Sequence, residues 1–169
     1  MDAQEPVKII LWFGESIGFW IQTGAVFLSA VAAIFVIHHN GVLARRRSTI
    51  DHIIHQKSNE AILNAIHIVY RLHDDNVQFS QYLDKQDSDE FKAILKVLNN
   101  HEFIAVGIRR KAFEERIYKE LQYSNFVKVY NSAAGIIAEI RKKQNSHTLF
   151  QEFEWLIKRW EKCPLKRRT

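Results

Sequence analysis

From Gly18 to Ile37 the chain contains no Asp, Glu, Lys, Arg or His, and Gln22, Thr23 and Ser29 are its only strongly polar members. A helix rising about 1.5 Å per residue needs about 20 residues to cross a hydrocarbon core of roughly 30 Å. The run has that length and predicts one transmembrane helix. After it the apolar residues recur three and four apart, the spacing of amphipathic helices. Ile50, Ile53 and Ile54 predict that the first helix continues to about Gln56. Ser58 then reads as the N-cap of a helix carrying Ile62, Leu63, Ile66, Val69 and Tyr70 to about His73.

The polar stretch Asp74–Asp87 predicts a loop with a short helical piece around Val77–Phe79 and Tyr82–Leu83. Asp87 or Ser88 caps the next helix, which runs through Phe91, Ile94, Leu95, Leu98, Phe103, Ile104 and Ile108 to about Arg110. Phe113, Ile117 and Leu121 predict a helix over about Ala112–Leu121. Ser124 or Asn125 opens another that ends near Lys143, before Gln144-Asn145-Ser146. A last helix carries Leu149, Phe150, Phe153, Leu156, Ile157 and Trp160 and stops at Cys163-Pro164, because proline lacks the N–H a helix needs.

The fold class expected is all-α: one N-terminal transmembrane helix followed by a cytoplasmic helical bundle of about five helices. Two prolines and six glycines in 169 residues agree with it. The expected organisation is an extracytoplasmic segment over 1–17, the membrane helix over 18–37 and a juxtamembrane helix over 38–57. A helical domain over 58–163 and a basic tail over 164–169 complete it. A cleaved signal peptide fits less well than a retained anchor. The residues before the run are net acidic, the run is long, and His38-His39-Asn40 follows in place of a small-residue cleavage site. The short apolar run Val7–Phe13 is too brief to span; it suits the outer interface, or extends a tilted helix if Glu15 snorkels to water.

Charge gives the span a direction. Residues 1–44 carry net −2, which leaves net +7 for residues 45–169. Arg45, Arg46 and Arg47 follow the span closely, so the positive-inside rule places the C-terminal domain in the cytoplasm, at the inner membrane, with the N-terminus outside. Trp12, Phe13, Phe19 and Trp20 suit the opposite headgroup boundary. The single cysteine, Cys163, excludes an intrachain disulfide framework.

Few residues are candidates for chemistry. Ala25, Ser29 and Ala33 stand four apart and form a small-residue stripe that lets two membrane helices approach closely. Glu102 lies in an apolar part of its helix and, if buried, needs a cation such as Arg109, Arg110 or Arg141. Arg45-Arg46-Arg47, which topology explains best, is also a candidate for anionic lipid. Arg109-Arg110-Lys111 with Arg141-Lys142-Lys143 form a candidate basic interaction patch for anionic lipid or nucleic acid, although cations also suit helix C-termini. His52 and His55 supply two metal ligands where structural zinc wants four. No metal site or cofactor is expected. The chain has no nucleophile-elbow motif and no glycine-rich phosphate loop, so an enzyme is not expected.

Three stretches carry a resemblance: Ser48-Thr49-Ile50-Asp51 after the arginines, Asn99 to Arg110 (NNHEFIAVGIRR), and Phe150 to Leu156 (FQEFEWL). In order and landmarks, over about residues 45–162, the chain resembles a bacterial family of small single-pass membrane-anchored helical proteins classed as a domain of unknown function. The resemblance implies one N-terminal anchor and a helical cytoplasmic domain, and it supplies no catalytic residue. Some small bacterial membrane proteins of this shape are effectors in phage defence, an analogy of architecture alone.

The function expected is a membrane-tethered, non-enzymatic interaction module, a regulator or effector at the inner membrane. Its partners would be the lipid bilayer and either another protein or further copies of itself as a homo-oligomer. The alternative is a membrane-anchored nucleic-acid-binding protein using its basic domain. Pore formation by packed anchors is a third reading.

Overall fold

Ser16 places its hydroxyl 3.3 Å from the backbone N–H of Phe19, and a helix starts at Ile17. This N-cap satisfies one of the amides that a helix start leaves without a partner. The computed structural model describes residues 11–12 and 15–165. Helix α1 covers Ile17–Ser58, 42 residues without a break. Before it, Leu11–Trp12 pairs antiparallel with Glu15–Ser16. Among the described residues the remaining elements are α2 (Glu60–Asp74), a 3-10 turn (Phe79–Tyr82), α3 (Asp89–Arg109), α4 (Glu115–Lys143) and α5 (Gln151–Lys162). The all-α class holds. Most of the Val7–Phe13 run and the tail from Lys166 lie outside the described residues.

The chain divides into two compact units, Met1–Leu43 and Ala44–Thr169. In the first, every residue of α1 except the half-buried Val42 is exposed, and an 18-residue window of mean hydropathy 2.0 has none of its side chains buried. This is the one helix among the described residues long and apolar enough to cross a membrane. An apolar helix of a water-soluble core would have its surface covered by the rest of the chain.

In the second unit α3 is central, buried on more than one side through Ile94, Val97, Leu98, His101, Ile104, Ala105 and Ile108. It packs against α2 and α5, while α4 packs against α5 and the 3-10 turn. Between α4 and α5 lies an aromatic cluster. Phe126 and Phe153 meet edge to face at 5.7 Å, as do Tyr130 and Phe153 at 5.4 Å, and Phe126 lies 5.4 Å from Trp160. Each such ring, withdrawn from water, contributes on the order of 1.5–3 kcal/mol.

Three boundaries differ from the sequence expectation. Ser58 does not cap α2. Its hydroxyl donates to the Ile54 carbonyl at 2.9 Å, which keeps it in α1, and Asn59 accepts the Ile62 N–H at 3.2 Å instead. The expected break at Ser124-Asn125 is absent, and α4 runs through it. Asn125 donates its amide to the Gln122 side chain, and Tyr118 and Phe126 on either side are fully buried. A few tenths of a kcal/mol of poor helix propensity at two positions yields to that packing. Finally, Leu149 and Phe150 precede α5, with Phe150 left-handed at φ 56°.

Candidate interaction site

Three of the polar groups singled out in the sequence, Glu102, Arg109 and Arg141, meet at the start of α5. Phe150 is a buried, non-glycine residue in a left-handed conformation, which costs roughly 1–2 kcal/mol. It leaves α5 without a capping side chain of its own. Glu102, half-buried on α3, supplies the cap from 50 residues away. Its carboxylate accepts the backbone N–H of Glu152 at 3.2 Å and of Phe153 at 2.7 Å. The cation expected as its partner is therefore replaced by a helix N-terminus, whose free amides and dipole serve the same purpose.

The arginines serve the same turn by other routes. Arg109 holds Glu152 with one terminal nitrogen, 2.7 and 2.6 Å from its two carboxylate oxygens. Arg141 donates to the Leu149 carbonyl at 2.8 Å and pairs with Glu154 at 2.8 Å. Lys158 reaches the same Glu154 at 2.5 Å. Hydrogen bonds from Lys158 and Arg141 hold the Glu154 carboxyl below the usual range. Glu102 is shifted the other way. Burial pushes it up, against the opposing pull of the Phe153 and Glu152 amides, and the Glu152 carboxylate adds to the rise.

The basic patch is thus only partly free. Arg109 and Arg141 are committed to α5, and Lys143 faces Asp84 at 3.6 Å. Arg110, Lys111 and Lys142 are exposed. Arg109 also lies 5.3 Å over the Trp155 ring, and Arg159 lies 5.8 Å from it. A groove of about 730 Å³ runs along this side, lined by Glu115, Lys119, Trp155, Lys158, Arg159 and Lys162 among others. Glu115, which sequence reasoning passed over, accepts from Arg159 Nε at 2.9 Å and from Trp160 Nε1 at 3.2 Å. Its partners lie 44 and 45 residues away, so no local pattern marks it.

The other sequence candidates stay apart from this node. Ala25, Ser29 and Ala33 lie exposed along α1, with the Ser29 hydroxyl donating to the Ala25 carbonyl at 2.8 Å. Arg46 and Arg47 are exposed and Arg45 is half-buried. His52 packs between Phe103 and Phe113, with ring centroids 5.3 and 5.2 Å away. Among the described residues no group of three or more His, Cys, Asp or Glu is arranged to hold a metal ion.

These landmarks fall within one family. The chain belongs to DUF4760, a domain of unknown function whose family model matches residues 23–160. The match takes in most of the apolar part of α1 as well as the helical unit. No curated protein and no solved structure matches the chain.

Proposed function

We propose that this DUF4760 protein is a membrane-tethered, non-enzymatic interaction module. It works as a regulator or effector at the inner face of a cytoplasmic membrane, through a protein partner or through self-association. The observation that carries the reading is the exposed apolar window of α1, whose mean hydropathy is 2.0 with no residue covered by the rest of the chain. Such a surface is stable in a bilayer and prone to aggregate in water. Arg45, Arg46 and Arg47 follow it and favour the orientation with the C-terminal unit inside. In the helical unit, Glu102, Arg109, Arg141 and Glu154 hold one helix to two others, which supports a scaffold role for the polar residues.

The nucleic-acid reading has less support. Arg109, Arg141 and Arg159 are matched to carboxylates, and Trp155 is flanked by two guanidinium groups in place of an open face. A stacking platform needs that face free.

The exposed Cys163 provides the test, because it is the only cysteine in the chain. The protein should stay with membranes through alkaline carbonate. An impermeant maleimide should label Cys163 only after the bilayer is opened. Release by carbonate would refute the anchor, and labelling in sealed cells would refute the orientation.

A further inference from the structure

The last part of α1 has two faces of different character. Thr49, Ile53 and Gln56 are buried, and Val42, Arg45 and His52 are half-buried. At about 100° per residue these six positions cluster on one side of the helix. Leu43, Ile50 and Ile54 fall together on another side, about 140° around from the first. They are 48%, 48% and 57% exposed. Large aliphatic side chains aligned on one face, about half of each left uncovered by the described residues, suit a partner.

We infer that the partner is a second copy of this chain, its α1 parallel and in register with the first. This rests on the membrane-tethered reading above and names the occupant that reading leaves open. Three observations select a second copy.

The first is periodicity. Upstream from Ile54 the exposed stripe runs through Ile50, Arg47, Leu43, Asn40, Val36, Ala33 and Ser29, alternating three and four residues without interruption. That is the a/d seam of a two-stranded coiled coil, sustained over four heptads. Two small residues of the apolar segment, Ser29 and Ala33, fall on the same seam, where they permit close approach in lipid. The second is charge. With Ile54 and Arg47 at a and Ile50 at d, Arg46 takes position g and Asp51 takes position e. A parallel partner sets g of one chain against e five residues on in the other, which brings Arg46 to Asp51 twice by symmetry. Among the described residues Asp51 pairs with Arg47, at 3.8 Å with both side chains largely exposed, a contact that contributes little. The third is orientation. Copies inserted alike in one bilayer meet with their helices parallel, the arrangement that makes the g–e pairs attractive. Asn40 and Arg47, polar at a positions, lower stability and fix register and strand number.

The test uses the full-length chain in its membrane, in a Cys163→Ser background. Leu43→Cys, Ile50→Cys and Ile54→Cys should each give disulfide-linked dimers on mild oxidation. Ser48→Cys and His55→Cys, exposed but off the seam, should give little. Equal yields at all five positions, or no dimer at any, would overturn the proposal. Charge reversal is the second arm. Chains carrying Arg46→Asp and chains carrying Asp51→Arg, expressed together with different tags, should pair with each other about fivefold over either self-pair, as two exposed ion pairs allow. Absence of that preference would also overturn it. Failure of these arms with the protein still resistant to carbonate rejects the seam and leaves the anchor, whereas release by carbonate rejects the anchor itself.

Discussion

Gly107 shows how closely α3 meets the loop that follows it. A Cβ at this position would stand 2.2 Å from Cδ2, 2.5 Å from Cε2 and 3.1 Å from Cγ of Phe113. Phe113 cannot simply back away. Its own N–H and that of Ala112 both donate to the Gly107 carbonyl, at 3.1 and 2.8 Å, so the backbone is fastened to the residue that would crowd it. The ring is buried and packed against His52, Phe103 and Tyr118. Gly107→Ala therefore drives the ring from its site. Losing a buried phenylalanine costs about 3–5 kcal/mol, and replacing a glycine in the last turn of α3 by alanine returns at most about 1 kcal/mol. The net loss is about 2–4 kcal/mol, or roughly 8–16 °C in Tm for a unit of this size.

Gly135 is the matched control. It lies on α4, exposed, and a Cβ there meets nothing within 4 Å. Gly135→Ala should raise stability by up to about 1 kcal/mol. Both variants are compared in detergent by near-ultraviolet circular dichroism, which follows the packed aromatic rings while α1 stays helical. Shifts of the same sign for the two alanines would refute the reasoning, because helix propensity alone would then account for both.

Two further outcomes follow from buried polar groups. Thr49, fully buried on α1, accepts the Glu114 N–H at 2.8 Å at the start of α4, so Thr49→Val strands that amide and should cost about 1–3 kcal/mol, with Thr49→Ser restoring most of it in urea unfolding. His101 is buried between Phe126 and Phe153 with Nδ1 donating to the Val97 carbonyl at 2.8 Å, and burial pulls its pKa from 6.5 down to about 4. The unfolded chain then binds the extra proton first, so stability falls as pH drops from about 6.5 to about 4, by about 3 kcal/mol in all. Urea midpoints that show no difference between His101→Gln and the parent chain across that window would contradict this.

The long elements of the fold are legible in the sequence because each satisfies a local rule. The apolar run has a spanning length, α3 carries Ser88 as a cap whose hydroxyl accepts the Phe91 N–H at 3.2 Å, and α5 stops before Pro164. Reading failed where tertiary packing outweighed local preference, as at Ser124-Asn125. The division of the α1 surface after Leu43 was hidden for a related reason. Ile50, Ile53 and Ile54 look alike in sequence, and only the fold separates buried Ile53 from its exposed neighbours.

The start of α5 shows what non-local satisfaction looks like from the sequence side. The residues before Gln151 end in Leu149-Phe150, two apolar residues with no side-chain oxygen to offer the first amides of the helix. Glu102 has no cation three or four residues away on its own helix, where Leu98, Asn99, Ala105 and Val106 stand. Each feature alone reads as a local defect. Together they are complementary, a donor group without an acceptor and an acceptor without a donor, and burial makes leaving either unmatched expensive. The structure joins them at 2.7 Å. A carboxylate fixed to backbone amides depends on where the helix begins, not on which side chains it carries. That accounts for Arg109 and Arg141 gripping the neighbouring Glu152 and Glu154, where they reinforce the same turn without competing for Glu102.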